Sequence, residues 1–382
     1  MMGNRIYLAL TLMWISAVLV FPATAQIKSP GDGIGTPIYS VQPLRTVSGT
    51  AVPNDETSRL NTIPTWSGTF RYQPPQGRSQ VFGYTMVGSN PWRGSATTTV
   101  PTEIIPIALV FSNGVSLDGT TRVDEVIASP LFQPFLSQTG FTQYGDAVSR
   151  ASFYSIVQEK SRNWHVLLGQ PSIFPTHTIT VPPEAGFEFT GSASRAPIGL
   201  IDLEWFTRQI KTLVAGLNLD PRTLPIFLTY NSFLFSENPQ NCCVIGFHSA
   251  LAFPGPGGSH DVNTFVWASY SDKGIFAAPI EDITSLSHEL AEWYHDPLIR
   301  NVVPAWPQPG SSECFSNVME VGDAIENFAN LSFTVRMGES EYHPQDVALF
   351  SWFSRQFPSI GLKGRYSYRG YKLNGPALVC RK

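Results

Sequence analysis

The stretch EDITSLSHELAEWYHDP, residues 281–297, contains two histidines and five acidic side chains within about five helical turns. Asp282 or Thr284 can cap a helix N-terminus, and the final proline prevents the helix from continuing. His288 and Glu292 stand four residues apart, so they lie on one face of that helix. This spacing suits two ligands of one cation; a surface helix with solvated acidic side chains is the alternative interpretation.

Glu289 follows His288 directly and is rotated from it by about 100° around the helix, so it can point beside a bound ion. The zincin signature HExxH uses this arrangement, with two zinc ligands four residues apart and the intervening Glu as general base. Here the fifth residue is Glu292, and HELAE is a weaker signal than HExxH. The pattern predicts Zn²⁺, with Ca²⁺ as an alternative because several carboxylates surround one histidine.

A third ligand must come from outside the pair. The segment NVMEVGDAIE, residues 317–326, places Glu320 and Asp323 among apolar side chains, where a carboxylate requires a partner. We expect Glu320 first and Asp323 second. Asp296 and His295 are weaker candidates, and His295 is more simply a capping or surface histidine whose cationic form the helix dipole favours.

His248 lies in GFHSALAF, on a predicted strand. A buried, hydrogen-bonded histidine is the simplest interpretation. A strand beside the metal helix lines the cleft in zincin-like architecture, so His248 is also a weak site candidate.

The segment resembles the HExAE…PL…NAW…EIAD stretch of the plant EXORDIUM, or phosphate-induced protein, family. The matching parts are HELAE, Pro297-Leu298, Asn301, AW at 305–306 and EVGD at 320–323. The resemblance covers about 40 of 382 residues. It implies a zincin-like site at His288, Glu289, Glu292, Glu320 and Asp323, and it implies no peptidase activity by itself.

Two positions depart from that family: its cysteine after EIAD would fall at Ile325, and Asp296 is additional. Other segments, including SPLFQPF and YHPQDVALFSWFSRQF, are similar to an uncharacterised family of exported bacterial proteins.

The N-terminus predicts export. Arg5 precedes an apolar run from Ile6 to Phe21, and Ala23-Thr24-Ala25 resembles a signal-peptide cleavage site, so residues 1–25 are a predicted signal peptide. We therefore expect a secreted, periplasmic or cell-wall-associated protein without stable membrane insertion after cleavage. A net charge of −4 without a run of Lys or Arg argues against nucleic acid as the main partner.

Hydrophobic patterning predicts an α+β fold with a mixed or antiparallel sheet and packed helices. Residues 26–65 are a flexible or wrapping segment, and residues 66–382 form one large domain with its metal-site region at about 198–330. Strands are predicted at 68–73, 80–88, 102–114, 223–230, 243–253 and 264–271. Helices are predicted at 142–160 and within 197–221, the latter with Ile201, Trp205, Ile210 and Leu213 facing inward.

The cysteines Cys242, Cys243, Cys314 and Cys380 predict two disulfides in an exported chain. A bond between adjacent cysteines is strained, so we expect Cys242 and Cys243 each to reach Cys314 or Cys380.

The sequence therefore predicts a secreted zinc-dependent hydrolase, with Glu289 as base and a peptide or protein as the default substrate. The alternative is a non-catalytic secreted or wall-associated protein with a structural metal site.

Overall fold

The computed structural model describes residues 60–191, 194–255, 257, 259–370 and 372–381. The predicted signal peptide and most of the segment 26–65 lie outside the described residues. The helices are α1 Val123–Ala128, α2 Tyr144–Ser152, α3 Tyr154–Lys160, α4 Leu203–Gly216, α5 Thr284–His295 and α6 Phe350–Phe353. The strands are β1 Leu60–Asn61, β2 Thr65–Tyr72, β3 Gln80–Val87, β4 Thr97–Val100, β5 Thr102–Val110, β6 Ser116–Asp118, β7 Phe135–Ser137, β8 Gly140–Thr142, β9 His165–Leu168, β10 Ser172–Ile173, β11 His177–Thr180, β12 Gly186–Thr190, β13 Pro197–Asp202, β14 Leu224–Tyr230, β15 Ser232–Phe235, β16 Cys242–Val244, β17 Gly246–Pro254, β18 His260–Tyr270, β19 Val302–Trp306, β20 Ser316–Val318, β21 Val335–Met337 and β22 Ser340–Tyr342.

The largest sheet is mixed. Its path runs β1-β18-β14-β5-β10 with parallel pairing at each step, and β6 and β11 also pair with β5. β17 pairs with β18 in antiparallel register, from Gly246 opposite Ala268 to Pro254 opposite His260. A smaller sheet has the order β12-β13-β15-β16. These elements confirm the α+β class with a mixed sheet.

Both faces of the large sheet are covered. Successive residues of a strand point to opposite sides of the sheet, so each face packs against its own core cluster. On β18, Val266 and Ala268 join one core cluster, whereas Phe265 and Trp267 join the other. The cluster that contains Val266 and Ala268 also contains apolar residues of α2 and α5. The cluster that contains Trp267 also contains apolar residues of α4. The sheet therefore separates α4 from α5, and α5 lies against β17 and β18.

The predicted helix at 142–160 is two helices. α2 and α3 are separated at Phe153, whose ψ of 30° is not helical. α4 begins later than predicted, because residues up to Asp202 form β13 and the Asp202 side chain accepts a hydrogen bond from Trp205 N at 2.8 Å. Its fully buried face is consequently Phe206, Ile210 and Val214, and the predicted Trp205 and Leu213 are only half-buried.

Every residue of α5 is buried. The alternative interpretation of a surface helix with solvated acidic side chains is therefore wrong. No side chain caps the helix, since Ile283 occupies the N-cap position. Asp282 instead accepts hydrogen bonds from His343 N at 2.9 Å and contacts His343 Nδ1 at 2.7 Å, which ties the helix start to the C-terminal part of the chain.

The predicted cysteine pairing is wrong. Cys242 bonds to Cys243, and Cys314 bonds to Cys380. The adjacent pair lies in β16 and is fully buried in the main core, whereas Cys314 and Cys380 lie at the surface, where Cys314 N donates to Arg381 O at 3.0 Å. Neither Cys242 nor Cys243 is therefore bonded to Cys314 or Cys380.

Among the described residues, none of the helices is sufficiently long and apolar to span a bilayer.

Candidate metal centre

The side chains of His248, His288, Glu289, Glu292, Glu320 and Asp323, which we call the histidine–carboxylate cluster, meet between α5, β17 and the segment after β20. His288, Glu289, Glu292 and Asp323 are 0% exposed. β17 contributes His248, whose neighbour Phe247 belongs to the opposite core cluster. Strand alternation therefore turns His248 toward α5.

His288 is held in one orientation by Gln345. The His288 Nδ1 atom lies 3.1 Å from Gln345 Oε1, and Gln345 Nε2 donates to Gly322 O at 2.9 Å. Because the Gln345 amide nitrogen is engaged with a carbonyl, its oxygen accepts from His288 Nδ1–H. This tautomer directs the lone pair of Nε2 toward the carboxylates, as in histidines that bind metals.

His288 Nε2 lies 3.2 Å from Glu292 Oε1 and 3.4 Å from Asp323 Oδ1. Zinc ligands at about 2.0–2.2 Å in tetrahedral geometry are separated from each other by about 3.3–3.6 Å. The observed separations are close to that range, and one atom from each of the three side chains lies within 4.8 Å of the others. These groups could hold a metal ion, and they fit the prediction for His288 and Glu292.

The carboxylate that lies beside His288 together with Glu292 is that of Asp323, the second of the two predicted candidates. Glu320 Oε2 instead lies 3.9 Å from His248 Nε2. On the same side, His248 Nδ1 lies 3.3 Å from Glu289 Oε2 and 3.5 Å from Glu292 Oε2. The structure therefore brings the weak candidate His248 into the site.

The two other weak candidates have structural contacts. His295 is buried, with Nδ1 2.7 Å from Ala291 O and Nε2 2.9 Å from Ser152 Oγ, so both ring nitrogens are engaged away from the cluster. His295 is therefore not a surface histidine, although its contact with Ala291 O, in the last turn of α5, agrees with the expected capping position. Burial lowers the pKa of His295 to about 4, so its cationic form is not favoured. The Asp296 carboxylate accepts from Arg300 N and Asn301 N at 2.9 Å each, and so shapes the turn after α5.

Several buried oxygens of the cluster make no hydrogen bond within the described part of the chain: Glu289 Oε1, Glu292 Oε2, Glu320 Oε2 and both Oδ atoms of Asp323. Among the same residues, no Lys or Arg forms an ion pair with any of these four carboxylates. Burying anionic oxygens without a partner is costly. A bound cation would satisfy them.

The excess of buried carboxylates in the cluster changes the pKa values of its members. Burial opposes protonation of His288, but the carboxylates of Glu292 and Glu289 outweigh it and raise its pKa to about 9. Burial alone would raise the pKa of Glu292, yet the adjacent His288 lowers it. His288 therefore serves as the positive partner of Glu292 when no metal is present, and a metal would displace its proton.

The environment of the remaining acids favours their neutral form. Burial, together with the neighbouring carboxylates, raises the pKa of Glu289, Glu320 and Asp323 well above the usual range. Burial lowers the pKa of His248 to about 4, so this imidazole is neutral and can act as a ligand.

Two glycines allow the close approach of these elements. A Cβ at Gly322 would lie 2.5 Å from His288 Nδ1, and a Cβ at Gly246 would lie 2.7 Å from Glu289 Cγ. Gly322 N also donates to Glu292 Oε1 at 3.0 Å. The His288 ring and the Glu289 side chain therefore occupy the space that a side chain at these two positions would need, and the elements of the cluster can lie close together.

Comparison of the chain with protein-family models, with characterised proteins and with solved structures gives no match. The resemblance to the EXORDIUM family therefore stays a prediction.

Sequence patterns did not identify Gln345, Gly322 or Gly246. Gln345 follows α5 by about 50 residues and carries no motif, and only the fold shows its bond to His288. The EVGD pattern indicates its acidic residues, whereas the close approach of the His288 ring depends on the absence of a side chain at Gly322.

Proposed function

We propose that this protein binds a zinc ion through His288, Glu292 and Asp323 and acts as a metal-dependent hydrolase. The mixture of one imidazole and two carboxylates at separations near 3.3 Å supports zinc over calcium, which prefers six to eight oxygen ligands. Zinc bound there would lower the pKa of a coordinated water.

The observation that carries the hydrolase proposal is Glu289. This carboxylate is fully buried, its Oε1 has no hydrogen-bond partner within the described residues, and the three-ligand set does not require it. A site that only stabilised the fold would gain nothing from an additional buried acid with an unsatisfied oxygen, which costs free energy. Glu289 Oε1 lies 3.9 Å from His288 Nε2, so it can accept a proton from a water beside the metal and pass it to a leaving amine.

Peptides are the proposed substrate class because the HELAE arrangement is similar to the zincin peptidase signature. Since the cluster is closed to solvent, hydrolysis requires that a segment over the centre moves. Export to the periplasm, wall or medium remains part of this proposal.

The closure itself favours a second candidate, a structural metal site in a non-catalytic exported protein. Structural zinc sites are closed, whereas catalytic sites keep a position open to water and substrate. Two carboxylate ligands also neutralise Zn²⁺ and make it a weaker Lewis acid than histidine ligands do.

Elemental analysis and hydrolysis of a fluorogenic peptide library, on the purified chain beside Glu289→Gln, separate the two candidates. The hydrolase proposal expects zinc in both proteins and a loss of about 10²-fold or more in the variant's turnover. The exposed Glu204→Gln on α4 is the matched control and should retain full activity. Zinc in both with no hydrolysis by either favours the structural candidate, and absence of metal from every preparation overturns both.

A further inference from the structure

The two carboxylate oxygens of Glu292 face two different histidines. Oε1 lies 3.2 Å from His288 Nε2, and Oε2 lies 3.5 Å from His248 Nδ1. A carboxylate that presents one oxygen to each of two ligand sets can bridge two cations, as in two-metal sites. Glu292 is thus shared between two sets of ligand atoms.

The second set consists of His248, Glu289 and Glu292. His248 Nδ1 lies 3.3 Å from Glu289 Oε2, and one atom from each of the three side chains falls within 4.8 Å of the others. Their separations, like those around His288, are near the roughly 3.3–3.6 Å expected between ligands of one zinc-sized ion. The set on the His248 side therefore has ligands of its own apart from the shared Glu292.

An independent observation indicates that this side lacks a partner. Glu292 Oε2 and Glu320 Oε2, which lie 3.5 and 3.9 Å from the His248 ring nitrogens, are buried and make no hydrogen bond within the described residues. His248 is only 4% exposed and Glu320 only 1%. A first ion at His288 would contact Glu292 and Asp323, and it would leave Glu289 and Glu320 as they are.

Charge balance distinguishes one bound ion from two. Glu289, Glu292, Glu320 and Asp323 carry a formal charge of −4 when ionised, and one divalent ion leaves −2 in a region closed to water. A second divalent ion brings the sum to zero. The competing solution is protonation of Glu289 and Glu320, which predicts a single bound ion.

We propose that the histidine–carboxylate cluster holds a second divalent transition-metal ion, at His248, Glu289 and Glu292, with Glu292 bridging the two ions. This rests on the proposed first ion at His288, Glu292 and Asp323. Glu320 Oε2 lies 3.9 Å from His248 Nε2, beyond hydrogen-bond distance, so it is a neighbouring carboxylate of this set and not one of its three ligands. With two ions bound, Glu289 would be a ligand and could not act as the base. The number of bound ions therefore decides which of these two roles Glu289 has.

The first measurement uses the unmodified full chain, purified from metal-depleted medium and loaded with Mn²⁺. Elemental analysis should find two ions per chain, and electron paramagnetic resonance should show a spin-coupled pair, because the bridging carboxylate links the ions. One ion with the spectrum of an isolated Mn²⁺ overturns the second site and leaves the first intact. No bound ion overturns both proposals.

Variants then locate the ions. His248→Gln should reduce the stoichiometry from two to one, abolish the coupling and leave the remaining ion sensitive to Asp323→Asn. His177→Gln, on β11, is the matched control and should keep two coupled ions. Two ions that persist in His248→Gln would place the second ion elsewhere and overturn the assignment.

Discussion

Substitution of Gly322 by Ala tests whether the cluster is built around a close backbone approach. The added Cβ would lie 2.5, 2.6 and 2.7 Å from Nδ1, Cε1 and Cγ of His288. Favourable contacts of this type are about 3.5–4.0 Å, so the imidazole or the segment carrying Asp323 must move by about 1 Å. The φ angle of Gly322 is not in the left-handed region, so backbone strain does not contribute.

The Gly322→Ala substitution should lower both the stability of the protein and its affinity for metal. Overpacking of a buried site typically destabilises by about 1–3 kcal/mol. Displacement of a ligand or its support typically weakens metal affinity by about 10–100-fold, which corresponds to about 1.4–2.7 kcal/mol.

Urea unfolding of the metal-free protein measures the stability, and competition with a chromophoric zinc chelator measures the metal affinity. Gly83→Ala is the matched control, since a Cβ there meets nothing within 4 Å. If Gly322→Ala unfolds at the wild-type urea concentration and binds zinc with unchanged affinity, the close approach does not constrain His288 and the reasoning is refuted.

Three further outcomes are expected. Gln345→Ala removes the partner of His288 Nδ1, so zinc affinity should fall by about 10–100-fold in chelator competition, and an unchanged affinity would contradict the orienting role. Burial raises the pKa of Asp346 from 3.8 to about 6, because the folded protein disfavours the charged carboxylate. The contribution of the neutral carboxyl to stability is complete below the pKa of the unfolded chain, and it is lost as the pH rises to about 6. The free energy of unfolding of Asp346→Asn, relative to that of the wild type, should therefore rise by up to about 3 kcal/mol between pH 3.5 and pH 8, from a pKa difference of about 2.2 at 1.36 kcal/mol per pKa unit. Parallel curves of urea-derived unfolding free energy against pH for the two proteins would contradict this. Zinc at 100 times its dissociation constant should stabilise the folded protein by about 2.7 kcal/mol, visible as a higher melting temperature that Glu292→Gln abolishes.

Local patterns predicted much of the fold. Apolar and β-branched runs indicated the strands β14, β17 and β18, because buried strands differ from helices in length and residue type. Helix boundaries were less predictable: the apolar period of 142–160 is continuous, and the break at Phe153 carries no proline or glycine signal.

The site was predictable only where its residues share one element. The i, i+4 spacing on α5 identified His288 and Glu292, and the adjacent position identified Glu289. The acidic character of α5 nevertheless made a solvated surface helix equally reasonable, since charged residues are rarely fully buried without a partner.

Long-range contacts decided the remaining residues. His248 reaches the cluster because β17 pairs along the length of β18, and the choice of Asp323 over Glu320 depends on the turn that follows β20. The cysteine pairing also could not be predicted: the even number of cysteines indicated two disulfides, but only the structure shows which cysteines are bonded.

The complete burial of α5 has a consequence for the kinetics of metal exchange. An ion enclosed by His288, Glu292 and Asp323 has no solvent-exposed ligand through which a chelator could approach. Its release would wait for local or global opening, so the exchange half-life would follow the opening rate and not the affinity. The chain would take up its metal where it folds, and the ion it carries would reflect the metal supply of that compartment.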